Sequence, residues 1–105
     1  MTTYNKLVRD KIPQILDENR KTFSYYVAAG EEYTQKLKEK LVEEVNEFLE
    51  EPSVGELADI QEVIFALLED MGESQSKLTS VQGNKATSRG GFRMGCILEY
   101  VEDEK

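Results

Sequence analysis

Apolar residues recur with helical spacing through the middle of the chain. Tyr33, Leu37, Leu41, Val45 and Phe48 follow one another at steps of four, four, four and three. That rhythm lays one apolar stripe along a helix over residues 31–51. Pro52 cannot continue this helix, and Ser53 stands where an N-cap would begin the next, with Glu56 three positions on as in a capping box. From Val54 to Met71 the apolar positions crowd together at Leu57, Ile60, Val63, Ile64, Phe65, Leu67 and Leu68. They predict a second, largely buried helix that Gly72 ends.

The flanks are less regular. Pro13 suits the first turn of a short helix over PQILDENR, residues 13–20, where its missing N–H does no harm. KTFSYYVAAG, residues 21–30, is rich in aromatic and β-branched types and reads as a strand ended by Gly30. Within it Tyr25 and Tyr26 read as strand packing, with base stacking as the alternative. Ser74 caps a third helix to about Val81, after which Gly83 and Asn84 are expected to loosen the chain. SRGGF, residues 88–92, reads as a tight turn, because paired glycines allow positive φ and close backbone approach. MGCILEYV then reads as a second strand able to pair with FSYYVA, and the terminal EDEK is expected to fray. The expected fold is one domain over residues 1–105. It is mainly α: an antiparallel helical hairpin or bundle with a small two-stranded sheet.

Composition narrows the chemistry. The chain of 105 residues carries 13 Lys and Arg against 21 Asp and Glu, a formal net charge of −8. A nucleic-acid polymer would need a basic footprint, so none is expected as a partner. No apolar run approaches the roughly 20 residues that cross a bilayer. MTTYNKLVRD at the start has no apolar signal core, so export is not expected. Cys96 is the single cysteine, which rules out an intrachain disulfide and suits a reducing cytoplasm. It reads as a small buried residue rather than a reactive thiol. The chain has no histidine, which removes Ser-His-Asp and Cys-His catalysis and any zinc site with a histidine ligand. A metal held here would take oxygen ligands, which favours magnesium, manganese or calcium.

Several carboxylates lean toward the apolar stripes. With Leu37 at zero and roughly 100° per residue, Glu44 falls at roughly 340°, on the edge of the stripe, and Glu47 at roughly 280°. Glu43 lies further out, and Glu50 belongs to water. On the second helix, with Leu57 at zero, Glu56 lies at roughly 260°, between Val63 and Leu67, and Asp59 at roughly 200°. Glu62 and Glu69 take the polar face. Glu44/Glu47 and Glu56/Asp59 thus form two i, i+3 pairs on helices that the turn at Pro52 folds back on each other. Without a cation such a set would repel itself. The same spacing also arises by chance on solvated helices, and Glu56 could serve only to cap Ser53.

Glu43-Glu44-Val45-Asn46-Glu47 followed by Glu56-Leu57-Ala58-Asp59 resembles the EExxE and ExxD signature of the all-α nucleoside triphosphate pyrophosphatases. These are the MazG-like and phosphoribosyl-ATP pyrophosphohydrolase-like proteins. The opening YNKLVRDKIP and the later RGGF with its ILEYVE tail resemble one small, stand-alone branch of that superfamily. The likeness runs from Tyr4 to Glu102, although the interval between Glu47 and Glu56 is shorter than in many MazG-like relatives. It implies Mg²⁺-dependent hydrolysis of a nucleotide between its α- and β-phosphates, with Mn²⁺ as a possible substitute. It implies Glu44, Glu47, Glu56 and Asp59 as metal ligands, Glu43 as a supporting or base-like group, and a homodimer or homotetramer.

Such chemistry needs a base and cations. Glu43 or Glu47 could orient the attacking water. Asn5, Lys6, Arg9, Lys40, Lys85, Arg89, Gly90 and Gly91 are the candidate substrate contacts, with Lys11 and Arg93 as further cations. Arg89 beside the two glycines is the preferred phosphate clamp, its alternative being a surface residue at a turn. The leading expectation is a house-cleaning nucleotide pyrophosphohydrolase in the cytoplasm. The alternatives are phosphoribosyl-ATP hydrolysis and a non-catalytic helical dimerisation or regulatory module.

Overall fold

The computed structural model describes residues 1–103, in which four helices form and no strand does. They are α1 (Ile12–Glu18), α2 (Gly30–Glu50), α3 (Val54–Asp70) and α4 (Gln75–Arg89). The chain divides into two compact units, residues 1–73 and the remainder from Ser74. Of the expected frayed tail, Glu104 and Lys105 lie outside the described residues.

In the first unit, α2 and α3 pack against each other as a hairpin. Thr34 near the start of α2 donates a hydrogen bond to Asp70 Oδ2 at the end of α3 at 2.6 Å, so the helices run antiparallel. Leu37 is buried at 2% exposure, and Tyr33, Leu41, Val45 and Phe48 beside it are half-buried, which is the predicted stripe. Val63 is the buried apolar residue of α3.

The apolar positions of α3 from Ile60 onward other than Val63 are only half-buried, and Val54, Leu57 and Ala58 are exposed, so the expectation of a largely buried helix is corrected. The reason is geometric. A helix can hide one stripe against one neighbour, and α3 has apolar residues nearly all round.

The turn between the helices is Glu51, Pro52 and Ser53. Ser53 Oγ accepts a hydrogen bond from the Glu56 amide at 3.1 Å, fulfilling the predicted N-cap. Ser53→Ala should cost about 1 kcal/mol of stability, read as a lower midpoint in urea with unchanged slope. At the other end of α3, Gly72 has φ +76°, the Gly72 amide donates to Glu69 O at 3.0 Å, and the Glu73 amide donates to Leu68 O at 2.8 Å. This pair of bonds is a Schellman stop, and glycine takes its left-handed position without strain.

The expected sheet is absent among the described residues. Residues 21–29 and 95–103 are irregular, and Tyr25, Tyr26, Val27, Ile97, Leu98 and Tyr100 are all exposed. Strand propensity is expressed only against a partner, and an isolated two-stranded ribbon is marginal in water. The two segments belong to different units. Phe23 and Tyr25 instead stack locally with ring centroids 6.1 Å apart, and Tyr26 donates to Glu32 Oε2 at 2.5 Å. Gly30, expected to end a strand, opens α2.

In the second unit Ser74 Oγ accepts from the Lys77 amide at 3.0 Å, which is the predicted cap. The helix continues well past Val81, through Gly83 and Asn84, to Arg89. One interior glycine costs a helix about 1 kcal/mol, too little here to break it. Cys96, expected to be buried, is exposed, because the strand that would have covered it does not form.

Candidate functional site

The last two turns of α2 and the first two of α3 flank the Pro52 turn, and there the carboxylates converge. Oxygens of Glu44, Glu56 and Asp59 all lie within 4.8 Å of one another, and so do those of Glu43, Glu44 and Glu47. Glu44 belongs to both groups and is 6% exposed, the one charged residue that is buried among those described. Glu56 and Asp59 are half-buried, and Glu47 is exposed though it still offers an oxygen to the cluster. The structure thus groups Glu44 with Glu56 and Asp59, and separately groups Glu44 with Glu47 and Glu43. Glu43, placed further out by the wheel, is half-buried. Glu50, Glu51 and Glu62 are exposed, an ordinary solvated face.

Protein cations meet part of this charge. Lys40 Nζ lies 3.2 Å from Glu44 Oε1 and 3.3 Å from Glu43 Oε2, at i,i+4 and i,i+3 along α2. Lys6 Nζ reaches Glu43 Oε1 at 2.6 Å, and Arg9 Nη2 reaches Asp59 Oδ1 at 2.5 Å. Two carboxylate oxygens remain without a hydrogen-bond partner although buried, Glu44 Oε2 and Glu56 Oε2. The capping-box bond from Glu56 to the Ser53 amide is therefore not made by that oxygen; the cap rests on Ser53 Oγ.

Neighbouring glutamates respond in opposite senses. Burial pushes the Glu44 carboxyl above its ordinary value of 4.5, reinforced by the charge of Glu47 and only partly opposed by Lys40. Burial pushes Glu43 the same way, but the hydrogen bonds from Lys6 and Lys40 outweigh it and hold this carboxyl below 4.5. Lys6 is held above its usual value by its bond to Glu43, and Arg9 by its bond to Asp59.

The donor set has the chemistry of a hard-cation site. Every group is a carboxylate oxygen, the oxygens lie close enough to share one ion, and two of them are buried without a partner. A buried, unpaired carboxylate oxygen is costly, and a cation, a proton or a water offsets that cost. The residues fit magnesium or manganese, which take oxygen ligands in a compact shell.

Of the predicted substrate contacts, Lys6, Arg9 and Lys40 lie at the carboxylates and are paired with them. Asn5 has φ +47° and accepts a hydrogen bond at its backbone oxygen from Lys36 Nζ, 2.8 Å away. Sequence reasoning missed this role for Lys36, and no local pattern signals a bond between residues 31 positions apart. Lys85, Arg89, Gly90 and Gly91 belong to the second unit. There Arg89 ends α4, Gly90 closes it with φ +83° and an amide bond to Ala86 O at 2.9 Å, and Gly91 follows in open space. No helix of the described residues is long and apolar enough to cross a membrane.

No protein-family model, curated protein or solved structure matches this chain. What speaks for its chemistry is its own residues.

Proposed function

We propose that the protein is a magnesium-dependent nucleotide pyrophosphohydrolase, cleaving between the α- and β-phosphates to give a monophosphate and pyrophosphate. The observation that carries this reading is the grouping of Glu44 with Glu56 and Asp59 across two facing helices, with Glu47 grouped to Glu44 on α2 and two buried oxygens left unpartnered. The EExxE and ExxD spacing on which the likeness to MazG-like proteins rests involves the same four residues.

Glu44, Glu56 and Asp59 would hold the ion, with Glu47 at its outer side. Magnesium, when bound, neutralises phosphate oxygens and makes water more acidic. The chain's own groups do the rest. Glu47 is exposed and makes no ion pair among the described residues, so it is the better placed of the two candidate bases to take the proton of the attacking water. Glu43 is already engaged by two lysines and kept in its charged, weakly basic form, which suits a supporting role. Lys6, Arg9 and Lys40 supply positive charge for the polyphosphate beside the carboxylates. Arg89 at the end of α4, with the open backbone at Gly91 beside it, would supply a separate phosphate clamp. The apolar surface that α3 leaves uncovered supports a homodimer or homotetramer as the working form.

Incubation with a panel of ribo- and deoxynucleoside triphosphates, phosphoribosyl-ATP and Mg²⁺ should release pyrophosphate from at least one nucleotide. Release confined to phosphoribosyl-ATP would move the protein to histidine synthesis. If no nucleotide is cleaved and magnesium leaves thermal stability unchanged, the non-catalytic helical module replaces this reading.

A further inference from the structure

The six residues from Tyr4 to Arg9 lie across the carboxylate cluster and touch both helices that build it. Lys6 pairs with Glu43 of α2, and Arg9 with Asp59 of α3, over sequence separations of 37 and 50. The backbone oxygen of Asn5 holds the segment to α2 through Lys36. One short segment thus sets a cation on each half of the acidic set.

These cations neutralise the rim and leave the floor unsatisfied. The side chains of Lys6 and Arg9 are 43% and 56% exposed, so their ion pairs are screened by water and individually weak. Glu44 Oε2 and Glu56 Oε2 are buried and receive no hydrogen bond from any described group. Glu44 is more than nine-tenths buried, and its oxygens lie among those of Glu56 and Asp59. Lys6 and Arg9 stay on the exposed rim and bond neither Glu44 Oε2 nor Glu56 Oε2, whereas a bare divalent ion is small enough to enter among the carboxylates. Asp59 is the contested residue, since it belongs to the three-oxygen group and also carries Arg9.

We propose that residues 4–9 form a built-in counter-cation which a divalent ion displaces. Lys6 and Arg9 neutralise Glu43 and Asp59 while the metal is absent. Arrival of the ion at Glu44, Glu56 and Asp59 takes the Asp59 oxygen, repels both cations and frees the segment from the rim. The proposal rests on the metal reading of the cluster and adds a competitor supplied by the chain itself.

Two measurements on the full chain test it. Zero-length carbodiimide coupling should join Lys6 to Glu43 in the metal-free protein, with the yield read by mass spectrometry of the linked peptides. Magnesium should lower that yield several-fold compared with sodium chloride at equal ionic strength. A Lys6–Glu43 yield that magnesium leaves unaltered or raises overturns the displacement. In calorimetric titration with magnesium alone, the doubly substituted Lys6→Met/Arg9→Met protein should bind about threefold to thirtyfold more tightly than the wild type, the range spanned by two screened ion pairs. Equal or weaker binding by the variant overturns the competition while the metal site stands. Absence of magnesium binding to both proteins overturns the metal reading, and the competition with it.

Discussion

Glu44→Gln is expected to raise the thermal midpoint of the metal-free protein at neutral pH, and to remove the further rise expected from magnesium in the wild type. The side chain of Glu44 is 8% exposed, Lys40 meets one of its oxygens, and the other has no partner. The amide is nearly the same shape and carries no charge. It therefore relieves the cost of a buried, half-paired carboxylate, about 1 kcal/mol by comparison with other buried polar groups. For a domain of this size that is about 4–8 °C.

The pH dependence fixes the sign. Because burial raises the folded carboxyl above 4.5, the native state binds more protons than the unfolded chain between that value and the raised one. The stability contributed by Glu44 is fully present below 4.5 and is lost as pH rises through the folded pKa. Glu43 acts in the reverse direction, since Lys6 and Lys40 overcome its burial and hold it below 4.5. Its contribution is present above 4.5 and is lost as pH falls through the folded value. Thermal melts between pH 4 and pH 8, with and without magnesium, read both residues. A variant that melts no higher than the wild type without metal, yet keeps its magnesium shift, would remove Glu44 from the ligand set.

Glu56→Gln is expected to lower pyrophosphate release by about a hundredfold or more, the usual cost of disabling a metal ligand, with no loss of helix content. The separation is possible because Glu56 has two independent roles. Its backbone amide donates to Ser53 Oγ and caps α3, which the substitution leaves in place. Its carboxylate supplies one of the buried oxygens without a partner. Ser53→Ala makes the complementary cut, weakening the cap and sparing the carboxylate. Wild-type turnover by Glu56→Gln, with unchanged circular dichroism, would end the assignment of Glu56 to the metal.

The helices that carry this site were legible because their information is local. Leu37, Leu41, Val45 and Phe48 repeat at helical spacing, and Ser53 and Gly72 mark the ends of α3. Glu44 and Glu56 lie beside the apolar stripes on the same wheels, whereas Glu47 is exposed. Long-range partners were not legible. Glu43 is covered because Lys6 reaches it from 37 positions away, and Asp59 is paired because Arg9 lies 50 positions away. FSYYVA misled for a related reason, since strand propensity has no meaning until a neighbouring strand supplies the ladder. At α4 the error ran the other way. Gly83 and Asn84 are weak helix formers, but the sound cap at Ser74 and the stop at Gly90 carry the helix across them.

The shortness of the turn at Glu51, Pro52 and Ser53 bears on how the protein folds. Closing so small a loop costs little chain entropy, and contacts near in sequence form early. The hairpin therefore draws its acids together before the distant Lys6 and Arg9 arrive to offset them. Electrostatic repulsion is met at the first step of folding, when Lys40 is the native cation already in place on the same helix. Added salt is therefore expected to speed refolding followed by stopped-flow, through screening of these acids.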